Sequence, residues 1–327
     1  MQNDPACDEK YMRRALQLAV QGRLTAAPNP MVGAVVVAGD RIIGEGYHIR
    51  PGEGHAEVNA LASVKPADRH LLKESTIYVT LEPCAHYGRT PPCAELIIRE
   101  GIPRCVVGCI DPFAQVKGRG VAMLLQAGLE VRVGVLEDEC WSLNKHFIAF
   151  HSLQRPYITL KWARSADGFI DRLRTDGSAA RLSTAATQQH VHRQRSLHQA
   201  ILVGHSTWML DRPTLDVRHW FGTPPLRCVL GRCDTSQFPE NAICMPDIDE
   251  LLAELHRRGI QSLLVEGGRQ TLQSFIDRNL WDEAWEECAA VSLGDGVPAP
   301  QMPREADDQK EIWGVSFNSW SASHCLL

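Results

Sequence analysis

Three short segments hold residues whose types and spacing can do chemistry: His55-Ala56-Glu57 in GEGHAEVNAL, Pro83-Cys84 in TLEPCAHYG, and Cys93 in PPCAELII. An imidazole and two thiolates make a zinc donor set. A structural zinc closes its tetrahedron with a fourth protein ligand, whereas a catalytic zinc keeps three and leaves the last position to water. Only three ligands stand out here, so the pattern predicts a catalytic ion. Zinc lowers the pKa of a bound water to about 7, which makes hydroxide available at neutral pH, and a nearby carboxylate can shuttle its proton. Glu57 is the candidate shuttle. Glu82 has two readings, a carboxylate that caps or supports the ligands and a second catalytic group.

The elements that must carry these residues follow from hydrophobic periodicity. TIYVTL sets Ile77, Val79 and Leu81 against Tyr78 and Thr80, a period of two that predicts a strand ending just before Glu82-Pro83-Cys84. CAELIIREG reads as a helix stopped by Gly101, which places Cys93 in a first turn where amide dipoles favour the thiolate. His55 opens a second helix, HAEVNALASV. Two helix starts and a strand end can converge on one ion. A structural zinc, or three unrelated buried residues, is the plain alternative, against which the spacing and Glu57 jointly argue.

The order H-x-E, P-C and a further Cys is the signature of zinc-dependent deaminases, in which hydroxide attacks the amine-bearing carbon of a pyrimidine or purine. The usual P-C-x-x-C is widened here, with eight residues, Ala85 to Pro92, between the cysteines. With that loop, PNPMVGAVVV, GEGYH, HAEVNAL, TLEPCAHYGRTPPC and DPFAQVKGRG resemble the deaminase half of the bifunctional riboflavin-biosynthesis deaminase/reductase family. The resemblance implies a cytidine-deaminase-like α/β/α domain over residues 1–150, acting on a diaminopyrimidinone that bears a ribosylamino 5′-phosphate. It also implies zinc on His55, Cys84 and Cys93, Glu57 as acid/base, and substrate contacts from Asn29, His48, Arg89 and Asp111. Plain alternatives stand beside three of these contacts. Asn29 between two prolines suits a turn, His48 can serve a loop hydrogen bond, and Asp111-Pro112 can simply end the strand CVVGCI. Arg89 stands where the family often has Lys, and its guanidinium can hold a phosphate bidentately. Phe113-Ala114 replaces the family's common Asn-Pro.

A new strand is expected after Arg155-Pro156, with HSLQRP as the linker. YITLKWA, QAILVG, LRCVLG and SLLVEGG then predict a second α/β sheet, followed by a helix with Leu272, Phe275 and Ile276 on one face. Neither G-x-G-x-x-G nor G-x-x-x-x-G-K-[ST] occurs. Gly267-Gly268 lies between strand and helix, where absent side chains admit a phosphate to helix-terminal amides, and a tight turn is the alternative. In order, PYITLKWARSADGFI, RSLHQAILVGHSTWMLDRPTLDVR and LLVEGGRQTLQSFI resemble the reductase half of the same family.

That second resemblance implies a dihydrofolate-reductase-like domain over residues 151–327, which uses NADPH to reduce a ribosyl group to a ribityl chain. Substrate contacts are implied for Lys161, Asp167, Arg195, Asp211, Thr214, Leu215, Arg218 and Glu266. The cofactor side is implied for Gly204, Thr207, Gly267 and Gly268, with Lys161 and Arg181. Arg195 and Arg218 suit a sugar phosphate and Asp211 a polyol hydroxyl, with solvated arginines and an ordinary turn as the alternatives. Arg181 stands where the family commonly has Trp. It either binds the NADPH 2′-phosphate or marks a weakened cofactor site, and Gly231 replaces a common Asp. The acidic run Asp282 to Glu287 reads as a solvated face.

Composition limits the function classes. The 327 residues suit two domains, and 44% hydrophobic with 22% charged residues is ordinary for globular chains. A net charge of -5 offers no basic face for a polynucleotide, which argues against nucleic-acid editing and for a small-molecule substrate. No apolar run approaches the roughly eighteen residues of a membrane span, and MQNDPACDEKYMRRAL lacks a signal peptide's apolar core, so no membrane and a cytoplasmic location are expected. Eleven cysteines without a pairing pattern argue against a disulfide framework, and Cys105, Cys109 and Cys140 are expected to pack as small apolar residues. A homo-oligomer built through the reductase half is implied by the resemblance alone. Two rival readings stand: a deaminase with an impaired or repurposed reductase, and a nucleotide-binding module with structural zinc.

Overall fold

The apolar segments of the first half pair edge to edge, and helices cover both faces of the sheet they make. A computed structural model of the chain describes residues 5–87, 91–112, 118–174, 178–232 and 242–322. It divides into two units, Met1–Ser152 and Leu153–Leu327. The first runs through α1 (Pro5–Ala19), β1 (Gly33–Ala38), β2 (Arg41–Tyr47), α2 (Ala56–Ala62), β3 (Ser75–Leu81), α3 (Cys93–Arg99), β4 (Arg104–Cys109), α4 (Arg119–Gln126), β5 (Glu130–Val133), α5 (Glu137–Leu143) and α6 (Lys145–Leu153). Among the described residues its sheet has the order β2-β1-β3-β4-β5. β1 is antiparallel to β2 and β3, whereas β3, β4 and β5 are parallel.

β3 is buried along its whole length, because alternate residues feed two cores. Ile77 and Val79 pack with Ala60 of α2, Ile97 of α3 and Leu124 of α4. Tyr78 and Leu81 pack with Tyr11 and Ala15 of α1 and Cys140 of α5. The alternation in TIYVTL thus separates two buried faces as far as Val79, and Leu81 departs from the expected side by packing with Tyr78 at the strand's end; helices on both faces make the unit a three-layer α/β/α structure. Cys105, Cys109 and Cys140 are fully buried within these layers.

Charge ties α1 to the sheet as firmly as packing does. Asp8 has no exposed surface. It accepts hydrogen bonds from Arg104 at 2.8 and 2.9 Å, Arg132 at 2.7 Å and the Tyr78 hydroxyl at 3.0 Å. Burial alone raises the Asp8 carboxyl, but these partners, Arg104 foremost, hold it below its ordinary value.

The second unit runs through β6 (Tyr157–Arg164), β7 (Phe169–Asp171), α7 (Ala185–Leu197), β8 (Ala200–Gly204), α8 (His205–Asp211), β9 (Leu226–Leu230), β10 (Ala242–Met245), α9 (Ile248–Arg257), β11 (Ser262–Val265), α10 (Arg269–Asp277), β12 (Glu283–Cys288), β13 (Val297–Pro298), β14 (Asp308–Ile312) and β15 (Val315–Ser321). Among the described residues its main sheet is ordered β10-β9-β8-β11-β6-β12-β15-β14. The strands are parallel from β10 to β12, and β15 is antiparallel to both its neighbours. Leu251 and Leu255 of α9 join Leu272, Phe275 and Ile276 of α10 over one face. Leu215 joins Ile201, Val203, Val229 and Leu264 on the other.

The acidic run corrects one expectation. Asp282, Glu286 and Glu287 are buried, since β12 lies between β6 and β15 inside the sheet. Asp282 accepts from Arg155 at 2.6 and 2.9 Å and from the Ile158 amide at 2.6 Å. Glu286 accepts from Trp162 Nε1 at 2.9 Å and pairs with Arg164 at 2.9 Å, and Glu287 accepts from the Ser183 hydroxyl at 2.8 Å. These carboxylates are internal ties and not a wet face. Among the described cysteines Cys244 is disulfide-bonded, and eight others are free. No helix of the described residues is long and apolar enough to cross a membrane.

Asp8→Ala leaves Arg104 buried without its partner, and urea unfolding is expected to show a loss of about 3–5 kcal/mol. Because the folded pKa of Asp8 is lowered, its contribution is present above the unfolded value of about 3.9 and disappears as pH falls toward the folded one. Asp8→Asn is therefore expected to lack that share of the acid-sensitive stability, read as a flatter unfolding free energy below about pH 4.

Candidate active site

His55 is the N-cap residue of α2, in extended backbone conformation, so its ring leaves the helix start toward the end of β3. Cys84 follows that strand by Glu82-Pro83, and Cys93 is the first residue of α3. His55 Nδ1 lies 3.5 Å from Cys84 Sγ and 3.3 Å from Cys93 Sγ. All three donor atoms lie within 4.8 Å of one another, and no fourth His, Cys, Asp or Glu joins them among the described residues. A tetrahedral zinc with Zn–S near 2.3 Å and Zn–N near 2.0 Å separates such atoms by about 3.5 Å. The donor set and its spacing therefore fit zinc with one position left for water.

The local charges point the same way. The Cys93 amide donates to Cys84 Sγ at 3.3 Å. Hydrogen bonding from Cys93 first, and then from His55, brings the Cys84 thiol down to about 4. Hydrogen bonding to Cys84 and burial push the Cys93 thiol up. Two adjacent sulfurs do not both ionise unaided, and a divalent cation supplies the charge that lets them. Glu57 sits in the first turn of α2, 3% exposed. Burial foremost, and then the charge of Cys84, pushes its carboxyl up to about 7, which suits a group that takes and returns a proton at neutral pH.

Asn29 and His48 meet beside the metal donors. His48 Nδ1 lies 3.2 Å from the Gly54 carbonyl, and its Nε2 lies 3.0 Å from Asn29 Nδ2. The carbonyl can only accept, so Nδ1 carries the proton and Nε2 accepts from the Asn29 amide. Burial lowers the His48 pKa, which keeps the ring neutral in that tautomer. Asn29 Oδ1 is thereby left as the acceptor end. Asp111 is buried beyond the end of β4. Arg89 and Phe113-Ala114 lie outside the described residues.

Asn144 is a residue that local sequence patterns do not single out. It accepts from the Met31 amide at 2.8 Å and donates to the Met31 carbonyl at 2.9 Å. It pins the segment carrying Asn29 from a position 113 residues further along the chain, so nothing near either residue signals the pairing.

In the second unit Gly204, Thr207, Gly267 and Gly268 come together at the ends of β8 and β11, which run parallel side by side. A Cβ on Gly267 would lie 2.6 Å from the Gly204 amide nitrogen, so only glycine permits this approach. The Gly268 amide donates to the Thr207 hydroxyl at 3.1 Å. Backbone so bare at the start of α10 is a cradle that fits a dinucleotide phosphate. Lys161, half-buried on β6, forms no hydrogen bond or ion pair among the described residues, and its charge reaches Glu266. Arg181 is exposed and likewise unpaired among the described residues.

Other positions are already engaged within the protein. Arg195 donates to both oxygens of Glu266 at 3.0 and 2.7 Å and to the Asp216 carbonyl at 3.1 Å. Burial alone raises Glu266, but Arg195 and then Lys161 hold it below its ordinary value. Asp211 is paired with Arg174, which also holds Asp171. Arg218 donates to Thr214 at 2.6 Å and to Asp216 at 2.8 Å. Leu215 is buried at a positive φ of 49°, a strained conformation for a leucine that marks this loop. Asp167 accepts from the Ser165 hydroxyl, which foremost brings its carboxyl down to about 2, and from the Gly294 and Leu293 amides. Gly231 has a φ of 139°, and a Cβ there would lie 2.7 Å from His205 Cβ, so the Asp common in the family would be strained at this position.

A zinc-dependent deaminase domain joined to a nucleotide-dependent reductase domain is the class that these two sites define. Residues 5–109 match the family model of the cytidine and deoxycytidylate deaminase zinc-binding region, and residues 156–312 match that of the RibD C-terminal domain. The riboflavin biosynthesis protein RibD of Aquifex aeolicus is 37% identical over 322 residues, covering 89% of each chain. The solved structure of Acinetobacter baumannii RibD superposes with a TM-score of 0.83 at 31% identity, covering 97% of this chain and 99% of that one. The Thermotoga maritima diaminohydroxyphosphoribosylaminopyrimidine deaminase/5-amino-6-(5-phosphoribosylamino)uracil reductase gives a TM-score of 0.86 at 31% identity, covering 96% and 98%. The chain belongs to the RibD family of riboflavin-biosynthesis proteins. It is a bifunctional enzyme of that pathway, a zinc-binding deaminase and an NADPH-dependent reductase.

Two outcomes are expected from this geometry. Cys93→Ala should hold less than about a tenth of a zinc per chain after dialysis against a weak chelator, measured by metal analysis. Asn144→Ala should keep its zinc yet raise KM for ammonia release about tenfold, because it frees the segment that carries Asn29.

Proposed function

We propose that the first unit hydrolyses the 2-amino group of 2,5-diamino-6-(5-phosphoribosylamino)pyrimidin-4(3H)-one. The second unit then reduces the ribosyl group of the product, giving 5-amino-6-(5-phosphoribitylamino)uracil. The observation that carries the reading is the buried Glu57, two residues from His55, beside a three-ligand donor set for a metal.

His55, Cys84 and Cys93 would hold zinc, which would make a nucleophilic hydroxide available at neutral pH. Glu57 moves the protons: its carboxylate accepts one as the nucleophile forms and returns it as the amine departs, so water and the amine become a carbonyl and ammonia. Asn29 Oδ1, oriented by His48, accepts from an N–H of the pyrimidine. Asp111 forms the facing wall and Arg89 takes the phosphate. In the second unit NADPH supplies the hydride. Gly204, Thr207, Gly267 and Gly268 seat its phosphates, with Arg181 toward the 2′-phosphate. Lys161, a half-buried ammonium whose side chain is unpaired among the described residues, holds the substrate near the reacting sugar carbon. Arg195 acts through Glu266, and Arg218 through Thr214 and Asp216, to shape the substrate side with Leu215, Asp211 and Asp167. A cytoplasmic location and assembly of like chains through the second unit belong to the same reading.

Ammonia release and NADPH absorbance, followed in parallel on zinc-loaded protein given the diaminopyrimidinone ribosylamino phosphate, test the proposal, and both signals are expected. Ammonia without NADPH oxidation would remove the reductase step, and neither signal would remove this substrate. Glu57→Gln should retain zinc and lower kcat for ammonia release by about 10²–10⁴-fold. Arg181→Ala should raise KM for NADPH about tenfold while leaving KM for NADH unchanged.

A further inference from the structure

Glu82 is a buried carboxylate beside a metal ligand that the reaction leaves without a task. It lies between the end of β3 and Cys84 and is 4% exposed. Its backbone amide donates to the Cys109 carbonyl at 2.9 Å, extending the pairing of β3 with β4. Its side chain turns to the start of α4. Oε1 accepts from the amides of Gly120 at 2.8 Å and Val121 at 3.2 Å, and Oε2 from those of Gly118 at 2.9 Å and Asp111 at 3.3 Å. A carboxylate offers about four acceptor positions. Those amides saturate it, which leaves no lone pair for water or a ring nitrogen and separates its role from that of Glu57.

The contacts join three parts of the site. α4 has no capping side chain of its own, because its N-cap residue is Gly118, and Glu82 supplies the acceptors from a strand distant in sequence. The approach is tight: a Cβ on Gly120 would lie 1.9 Å from the Pro83 carbonyl oxygen. Pro83 sits between Glu82 and Cys84, so α4 cannot move against the metal-ligand segment without a clash or a lost hydrogen bond. The Asp111 amide, just beyond the end of β4, donates to the same carboxylate.

We propose that Glu82 is a positioning residue of the deaminase, holding the substrate-contacting Asp111 and the start of α4 in fixed register with the metal ligand Cys84. This rests on the deaminase reading above. Glu82→Gln keeps the shape of the side chain and every metal ligand, yet it turns an NH2 group toward amides that need an acceptor.

The Gln protein is expected to bind zinc at wild-type stoichiometry and to oxidise NADPH at the wild-type rate on the already deaminated ribosylamino pyrimidine phosphate. KM for the diaminopyrimidinone should rise about tenfold to a hundredfold, with kcat within about threefold, as for a site misplaced by about 1 Å. Both limbs of the pH profile of kcat should stay where they are. Hydrogen exchange at Gly118, Gly120 and Val121 should quicken at least about tenfold. Glu82→Ala should move KM and exchange further in the same directions. An unmoved KM or unmoved exchange in an active protein overturns the inference alone. A lost pH limb makes Glu82 a proton carrier instead, and a loss of zinc makes it part of the metal fold only, and either result overturns the inference too. A wild-type protein that releases no ammonia overturns the deaminase reading, and this inference with it.

Discussion

Like charges forced together out of water organise the first unit. Cys84 and Cys93 bring their sulfurs within 3.5 Å of one imidazole nitrogen, with the buried carboxyl of Glu57 alongside. Left to themselves these groups resist ionising together: Glu57 rises to about 7, and the Cys93 thiol is pushed up by Cys84 and by burial. A divalent cation resolves the conflict, and a rigid frame is needed to maintain it. That frame is β3, buried on both faces and ending beside Cys84, with α2 and α3 presenting their amino ends from the same side. Helix amino ends favour the negative sulfur and the carboxylate, so the frame and its electrostatics work in one direction.

The second unit handles charge differently, by pairing most of it within the protein. Arg195 grips Glu266, Arg174 bridges Asp171 and Asp211, and Arg155 holds Asp282. Lys161 on β6 and Arg181 in the loop before α7 stay unpaired among the described residues, and Arg269 at the start of α10 has a buried Nε without a hydrogen-bond partner. Cations left open in this way suit ligands that bring phosphates. The segment before α7 supplies both Arg174, paired with Asp171 and Asp211, and Arg181.

Legibility differed sharply between the two sites. The metal donors and Glu57 are declared by residue type and short spacing, and the strand and helices that carry them by periodicity. Asn144 gave no such sign, because its bond to Met31 joins segments that only folding brings together. The acidic run at Asp282 to Glu287 resembled a wet surface, since a one-dimensional pattern cannot show that Arg155, Trp162, Arg164 and Ser183 lie opposite. Arg195, read as a partner for a phosphate, also meets Glu266 from another element, a pairing that no local pattern shows.

The sequence by itself determined the reaction chemistry of the first unit and the two-sheet architecture, because donor type, spacing and period are local properties that survive without coordinates. Only the tertiary structure decided which polar groups remain available. Whether a carboxylate or a guanidinium is free depends on partners distant along the chain, as Glu82 with the amides of α4 and Asp211 with Arg174 illustrate. Burial removes water as the competing partner, so those long-range pairings are obligatory, and they settle the role of each charge.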